Sequence, residues 1–176
     1  MPKCKNCKEI FVAIKSENYC LKSVCLSIWV EKEKEADWKK RKANMKEDLM
    51  TIDDYLKLAQ KLFNEIIRIR DKNKGCISCK NPPKKFNAGH YHNSKNHPNI
   101  RFDLENVHGQ CEYCNTSLSG NLINYRKGLV EKIGEQAVFD LDERAIFKRV
   151  FTKEELKQMI IDFRIQIKEL KLWQEK

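Results

Sequence analysis

The chain has 176 residues, of which 34% are charged and 41% hydrophobic, and its formal net charge is +10 at pH 7. This length has room for one ordinary domain, or for two small ones with helical attachments. The high charge argues against a single deep core, and a compact unit of about 50 residues would need an added staple. The excess of basic residues favours a polyanionic partner.

Two sets of four cysteines are the candidate staples. Their spacings are C-x2-C-x12-C-x4-C and C-x2-C-x31-C-x2-C, formed by Cys4, Cys7, Cys20 and Cys25, then by Cys76, Cys79, Cys111 and Cys114. The amino-terminal sequence "MPKCKNCKEI" has no apolar signal region and no segment resembles a membrane span, so we expect reduced thiols. Cysteines two residues apart form tight turns that present two sulfurs to one tetrahedral zinc. The spacing predicts two structural Zn²⁺ sites; unconnected buried cysteines are the alternative, which is weaker for the second set.

The amino-terminal third divides into two predicted segments. Residues 1–28 are expected to form a small Cys4 zinc ribbon or knuckle, with Phe11, Val12 and Ile14 as its few core residues. Residues 29–50 carry charges of both signs and contain neither Gly nor Pro, which predicts an exposed helical linker. Basic residues of this linker could contact phosphates, although a solvated spacer is the simpler interpretation.

Two amphipathic helices are predicted, one on each side of the central region. The first begins with a capping box of Thr51 and Asp54 and ends near Gly75. The second begins with a capping box of Thr152 and Glu155 and carries one apolar stripe. This stripe either packs on the first helix or pairs with a second chain.

The central region, residues 76–120, breaks the helical pattern. Turn residues indicate extended segments near 86–91 and 100–102, followed by a short helix that opens near 111–114. One or two further short helices are expected, separated near Gly134. The predicted fold class is therefore α+β and mainly helical.

A polar stretch inside this region, "NAGHYHNSKN" at residues 87–96, gathers side chains that bind metals and transfer protons. A single zinc on the second cysteine set would place His90, at the end of the first strand, across a cleft from Asn115. A neutral imidazole can accept a proton near neutral pH. An amide oxygen suits a hard cation better than a thiolate does.

These residues resemble the HNH, or ββα-metal, nucleases. The resemblance is carried by "AGHY", by Asn106 in "LENVHGQC", and by "CEYCN", in which a cysteine pair directly precedes Asn115. Through "CISC", "RFDLENVHGQCEYCN", "SGNLINYR" and "FTKEEL", nearly the whole chain is similar to the lambdoid phage NinG/Rap family of recombination endonucleases. The resemblance implies a zinc-stapled HNH-like core with its preceding helix at 51–134, and a helical region at 135–176.

The family resemblance also implies an activity. It implies a structure-specific endonuclease that cuts Holliday junctions and D-loops in the host cytoplasm, leaving 5′-phosphate and 3′-hydroxyl ends. Such an enzyme would need Mg²⁺ or Mn²⁺ besides the structural zinc, and a homodimer through the last helix would supply two active sites. The alternative is a non-catalytic zinc module that binds DNA or a recombination partner; a third possibility is a restriction or homing-type nuclease of linear duplex.

The same resemblance implies roles for three residues. His90 would be the general base, taking the proton of the attacking water. Asn115 would bind the catalytic divalent ion through its side-chain oxygen. Asn106 would brace the loop that orients the histidine.

One position departs from the HNH pattern. Many HNH enzymes place an aspartate ligand directly before the histidine, where this chain has Gly89. Three nearby polar residues could complete the ligand shell, alone or with waters and a substrate phosphate: His92, Asp103 and His108. In the alternative arrangement His90 binds the ion, and His92 or His108 is the base. His97, which precedes a proline, is interpreted as structural.

Overall fold

The computed structural model describes residues 1–13, 16, 18–82 and 85–174. It divides into two compact units, Met1–Met50 and Thr51–Lys176. Helices dominate both units, and the described residues contain one sheet of two strands. The predicted mainly helical α+β class is confirmed at this level. No membrane-spanning helix occurs in the described part of the chain.

The amino-terminal unit is built around its cysteines. A cluster of Cys4, Tyr19, Cys20 and Cys25 is buried, and Phe11 packs against it as expected. Val12 is 65% exposed, so its assignment to this core is wrong. The side chains of a following helix close the cluster instead: Ile28 and Trp29. Ile14 lies outside the described residues.

Helix α1, Ser23–Asp48, includes the segment predicted as a linker helix except its last two residues. It begins before the boundary expected at residue 28, so that Cys25 lies in its first turn. Cys25 is its buried residue, and the rest of the helix is exposed or half-buried. Mixed-sign pairs such as Asp37 and Arg41, whose side chains are 2.7 Å apart, stabilise this exposed surface modestly.

Helix α2, Ile52–Arg70, opens the second unit. The predicted capping box is present: the Asp54 N–H donates to Thr51 Oγ1 at 3.2 Å, and the Thr51 N–H donates to the Asp54 carboxylate at 3.0 Å. These two bonds satisfy backbone donors that the first helical turn leaves unpaired. The buried face of α2 includes Phe63 and Ile67.

A hairpin of two antiparallel strands lies against α2. Strand β1 is Phe86–His90 and strand β2 is Val107–Cys111, in a register that pairs His90 with Val107. The first strand is confirmed, whereas the strand expected near 100–102 is wrong. A short 3₁₀ turn, Pro98–Ile100, takes its place. Proline lacks the N–H that a strand requires and its fixed φ suits the start of a helical turn.

The segment after β2 is helical. A five-residue π-helical turn, Tyr113–Ser117, is followed by α3, Leu122–Ile133, and α4, Glu135–Ala145. Gly134, at φ +86°, separates the two helices as predicted. The helices share one core with parts of the preceding loops: Ile77, Ile100, Tyr125, Leu129, Val138, Leu141 and Ala145. The boundary expected at residue 134 therefore falls inside one packed core.

The last helix, α5, is Lys153–Gln174. Its predicted capping box is present, since the Glu155 N–H donates to Thr152 Oγ1 at 3.2 Å and the Thr152 N–H donates back to the Glu155 carboxylate at 2.8 Å. The helix packs on α2, which is one of the two arrangements left open by the sequence; pairing with a second chain stays a prediction. The rings of Phe63 and Phe163 lie 5.5 Å apart across this interface.

Candidate functional site

The second cysteine set forms a compact tetrad beside the hairpin. The sulfurs of Cys76, Cys79, Cys111 and Cys114 all lie within 4.8 Å of one another. The Cys79 and Cys111 sulfurs are 3.8 Å apart, whereas a disulfide bond is about 2.05 Å long. Four sulfurs at about 2.3 Å from a tetrahedral zinc are about 3.8 Å apart. The tetrad could therefore hold a zinc ion, as the spacing predicts.

Nitrogen donors orient the sulfurs of this tetrad. The Cys111 N–H donates to the Cys76 sulfur at 3.3 Å, and the Asn121 amide donates to the Cys114 sulfur at 3.4 Å. Such bonds favour thiolates, but burial raises the pKa of the Cys114 thiol to about 12. Four thiolates can thus coexist here only with a cation that offsets their repulsion.

The first cysteine set has the same form within the amino-terminal unit. The sulfurs of Cys4, Cys7, Cys20 and Cys25 also lie within 4.8 Å of one another. The Cys7 and Cys20 sulfurs are 3.6 Å apart, and the Asn6 amide donates to the Cys25 sulfur at 3.4 Å. This tetrad could hold a second zinc ion.

A polar cleft of about 640 Å³ lies beside β1 and the π-helical turn. His90 and Asn115 both line it, so the chain brings together the two residues on which the sequence interpretation depends. The other lining residues come mainly from the loop after β1 and the turn before α3: Ala88, Tyr91, His92, Asn93, Ser94, His97, Ser119, Gly120 and Leu122.

His90 has one ring nitrogen engaged. Its Nε2 lies 3.1 Å from the Arg101 carbonyl oxygen, which can only accept, so Nε2 carries the proton. The basic lone pair of the neutral ring is consequently on Nδ1. Burial lowers the pKa of His90 below its usual value of 6.5, while the bond to Arg101 opposes this shift. The imidazole is therefore neutral at pH 7 and chemically able to accept a proton.

Asn115 reaches the cleft beside Gly89. A Cβ atom added to Gly89 would lie 3.1 Å from Asn115 Oδ1. Sequence reasoning expected the two groups across a cleft from each other, and both residues line this one.

Asn106 does not line the cleft but lies fully buried behind it. Its amide bonds both His92 and the Ile100 carbonyl, so it joins the two ends of the loop between the strands. This position suits the bracing role that the family resemblance implies.

Two further histidines line the cleft. His92 Nε2 lies 2.7 Å from an Asp142 carboxylate oxygen, so this ring nitrogen is engaged. His97, interpreted from the sequence as structural, holds the Ala145 carbonyl through Nδ1 at 2.8 Å. The two rings are 5.0 Å apart. His97 thus has a structural bond and also borders the cleft, which its local sequence does not reveal.

His108 lies outside the cleft, contrary to its candidacy as a ligand or base. It is 2% exposed, and its Nδ1 lies 2.8 Å from an Arg70 nitrogen and 2.7 Å from Lys132 Nζ. Its Nε2 lies 3.1 Å from the Glu105 carbonyl oxygen. Burial, together with the charges of Lys132 and Arg70, lowers its pKa to about 3. Both ring nitrogens are therefore occupied in a buried charge cluster.

Carboxylates are absent from the lining of the cleft in the described residues. Asp103, a third candidate ligand, pairs with Arg144 at 3.2 Å and lines a different pocket. Asp142 lies behind His92 and also pairs with Arg126 at 2.8 Å. The oxygen atoms offered directly to a cation in this cleft are consequently neutral ones.

Comparisons with known proteins confirm the phage NinG part of the sequence resemblance. The family model "NinG: Bacteriophage Lambda NinG protein" matches residues 26–174. Three relatives are called "Protein ninG". The protein of Salmonella phage P22 is 38% identical to this chain over 118 residues, and those of Escherichia phages 933W and lambda are each 36% identical over 118 residues. The alignments cover 66% of this chain and 57–58% of each relative, so the chain spans less than two thirds of their length. No solved structure matches.

Proposed function

We propose that this chain, which belongs to the bacteriophage lambda NinG protein family, is a metal-dependent DNA endonuclease of the HNH type. The proposal is supported by the cleft that His90 and Asn115 both line. The observation that carries the proposal is this shared cleft, which lies beside the second cysteine tetrad, a possible zinc site. One residue offers a basic nitrogen and the other an amide oxygen. Metal-assisted hydrolysis of a phosphodiester can use the nitrogen as a general base and the oxygen as a metal ligand.

The residues would divide the chemistry as follows. His90 Nδ1 takes a proton from water, whose oxygen attacks the phosphorus while the bond to the 3′ oxygen breaks. The leaving 3′ oxygen takes a proton from solvent water, so the products are a 5′-phosphate and a 3′-hydroxyl. Asn115 Oδ1 would hold Mg²⁺ or Mn²⁺, which when bound stabilises the charge on the phosphate and on the leaving oxygen. The Arg101 carbonyl keeps the proton on Nε2, so that Nδ1 stays available.

The substrate follows from charge and from the resemblance. A net charge of +10 suits a DNA partner. Basic side chains border a groove next to the cleft, where Arg126 and Lys127 could contact phosphates. The preference for branched recombination intermediates, such as Holliday junctions and D-loops, rests on the resemblance to recombination endonucleases.

A non-catalytic zinc module that binds DNA or a recombination partner is the second candidate. One observation favours it: the lining of the cleft offers no carboxylate where many HNH enzymes have an aspartate ligand. Such a module would keep the zinc tetrads and the basic surface without hydrolysing the phosphodiester.

Cleavage of a labelled four-way junction in Mg²⁺ or Mn²⁺ separates the two candidates. We expect the wild-type chain to cut, and His90→Ala and Asn115→Ala to cut about 100-fold more slowly or worse. Asn124→Ala, an exposed asparagine on α3, is the matched control and should cut normally. Binding without cleavage by the wild-type chain would select the module. Equal cleavage of a linear duplex would contradict the preference for branched DNA.

A further inference from the structure

Gln110 of β2 is a fully buried polar residue with a fixed orientation. Its Nε2 donates to the Ser78 hydroxyl at 2.7 Å and to the Gly120 carbonyl at 2.6 Å. A carbonyl only accepts, so turning the amide over would place two oxygens against each other. The orientation of the amide is therefore set, and Oε1 must point away from Gly120.

The Oε1 atom of Gln110 has no hydrogen-bond partner among the described residues, although it is buried. Buried carbonyl oxygens in folded proteins are usually satisfied by a donor, an ordered water or an ion. An oxygen left in this state calls for an explanation by what binds it.

Two amide oxygens converge on Gly89. A Cβ atom added to Gly89 would lie 2.3 Å from Gln110 Oε1 and 3.1 Å from Asn115 Oδ1. The glutamine oxygen thus occupies the space that the first side-chain atom of residue 89 would fill. It stands where an HNH aspartate would begin, next to the oxygen already assigned to the cation.

We propose that Gln110 Oε1 is a ligand of the divalent cation, paired with Asn115 Oδ1, and that it replaces the carboxylate absent at Gly89. The inference rests on the proposed function in placing a cation at Asn115. Two neutral oxygens suit Mg²⁺ or Mn²⁺, which prefer oxygen ligands and keep several waters or substrate phosphates in their shell. Waters complete the shell in the free protein, and a phosphate of the DNA would replace some of them.

Gly89 and Gln110 form a matched pair in this arrangement. Gly89→Asp alone brings a Cβ atom against Gln110 Oε1 and disturbs the site. Gln110→Ala alone removes one ligand and opens space beside Gly89. The double substitution Gly89→Asp/Gln110→Ala restores an oxygen ligand and gives it room, so the two changes should compensate.

This pairing is tested by measuring Mn²⁺ binding to the zinc-loaded full chain without DNA. Electron paramagnetic resonance of the free Mn²⁺ ion gives the affinity. We expect Gln110→Ala and Gly89→Asp each to weaken binding at least about tenfold, and the double variant to recover most of it. Gln158→Ala, an exposed glutamine on α5, is the matched control. Zinc content and a cooperative thermal transition confirm that each variant is folded.

The outcomes separate this inference from the proposed function. Wild-type affinity in Gln110→Ala, with binding lost in Asn115→Ala, overturns the role of Gln110 and leaves the cleft as the metal site. A double variant no better than Gln110→Ala also overturns the pairing. Absence of Mn²⁺ binding by the wild-type chain, while the junction is still cut in Mg²⁺, overturns the neutral two-oxygen site but leaves the endonuclease itself.

Discussion

The side-chain amide of Asn106 holds the backbone of His92 by both of its polar groups. Asn106 Oδ1 accepts the His92 N–H at 2.8 Å, and Asn106 Nδ2 donates to the His92 carbonyl at 3.0 Å. A further bond to the Ile100 carbonyl, at 3.0 Å, ties in the 3₁₀ turn in the middle of the same loop. One buried amide thereby fixes the loop that follows His90 in the chain.

Removing this amide should loosen the loop. We expect Asn106→Ala to lower the free energy of unfolding by about 2–4 kcal/mol, because it leaves buried backbone groups of His92 and Ile100 unpaired. Urea unfolding measures the loss, and Asn124→Ala on the surface should cost little. Equal stability of the two variants would contradict the bracing role.

The cluster around His108 should make stability depend on pH. Arg70, Lys132 and Asp71 face its ring, and burial lowers the pKa of His108 to about 3, against 6.5 for the free side chain. Below pH 6.5 the unfolded chain therefore binds a proton that the folded chain refuses, and stability falls with falling pH. Between the folded and unfolded pKa values, His108 changes the folding equilibrium constant about tenfold per pH unit. Above the unfolded pKa its contribution to stability no longer changes with pH.

The variant His108→Asn isolates this effect from other acid-labile groups, including zinc thiolates. Unfolding in urea between about pH 5 and pH 8 should show a flatter pH dependence for the variant than for the wild-type chain. An unchanged slope would contradict the assignment. Asp71 adds to the slope only in stronger acid: burial raises its pKa, but bonds from Arg70 and the Gly109 N–H outweigh burial and hold the pKa below the usual range.

Zinc should be bound by the two tetrads separately, because each lies in its own compact unit. We expect two zinc ions per wild-type chain by elemental analysis, and one in either Cys7→Ser or Cys79→Ser. Loss of the second site removes a closure of the long loop between Cys79 and Cys111, so Cys79→Ser should unfold residues 51–176 at lower temperature. A single zinc in the wild-type chain would contradict two sites.

The rate of cleavage should report the protonation of His90. Burial lowers its pKa below 6.5, so the rate should rise with pH in acid and become flat above pH 6.5. Single-turnover cleavage at saturating metal measures this profile. A rate still rising about tenfold per unit above neutral pH would indicate a different base, or a titrating metal-bound water.

Local signals in the sequence predicted much of the fold. The cysteine spacings, the capping boxes at Thr51 and Thr152, and the glycine break at Gly134 each depend on residues close in the chain. They all appear in the structure. The pairing of His90 with Asn115 in one cleft also follows from local spacing once the tetrad closes.

Strand β2 escaped prediction because its burial depends on partners far away in the chain. Val107, His108, Gly109 and Gln110 are all buried, although two are polar, so neither an alternating nor an apolar pattern marks the strand. His108 Nδ1 contacts Arg70 and Lys132, and Gln110 Nε2 donates to Ser78 and Gly120. Gln110 was overlooked for the same reason: only the folded hairpin places its oxygen beside Gly89.

An anomalous difference map from crystals soaked in Mn²⁺ tests the central claim most directly. We expect one strong Mn²⁺ peak in the cleft, within about 2.5 Å of Asn115 Oδ1, with the Nδ1 side of His90 open to a water or phosphate near the ion. A cleft without Mn²⁺, or an ion that contacts neither Asn115 nor a group facing His90, would contradict a nuclease centre at this site.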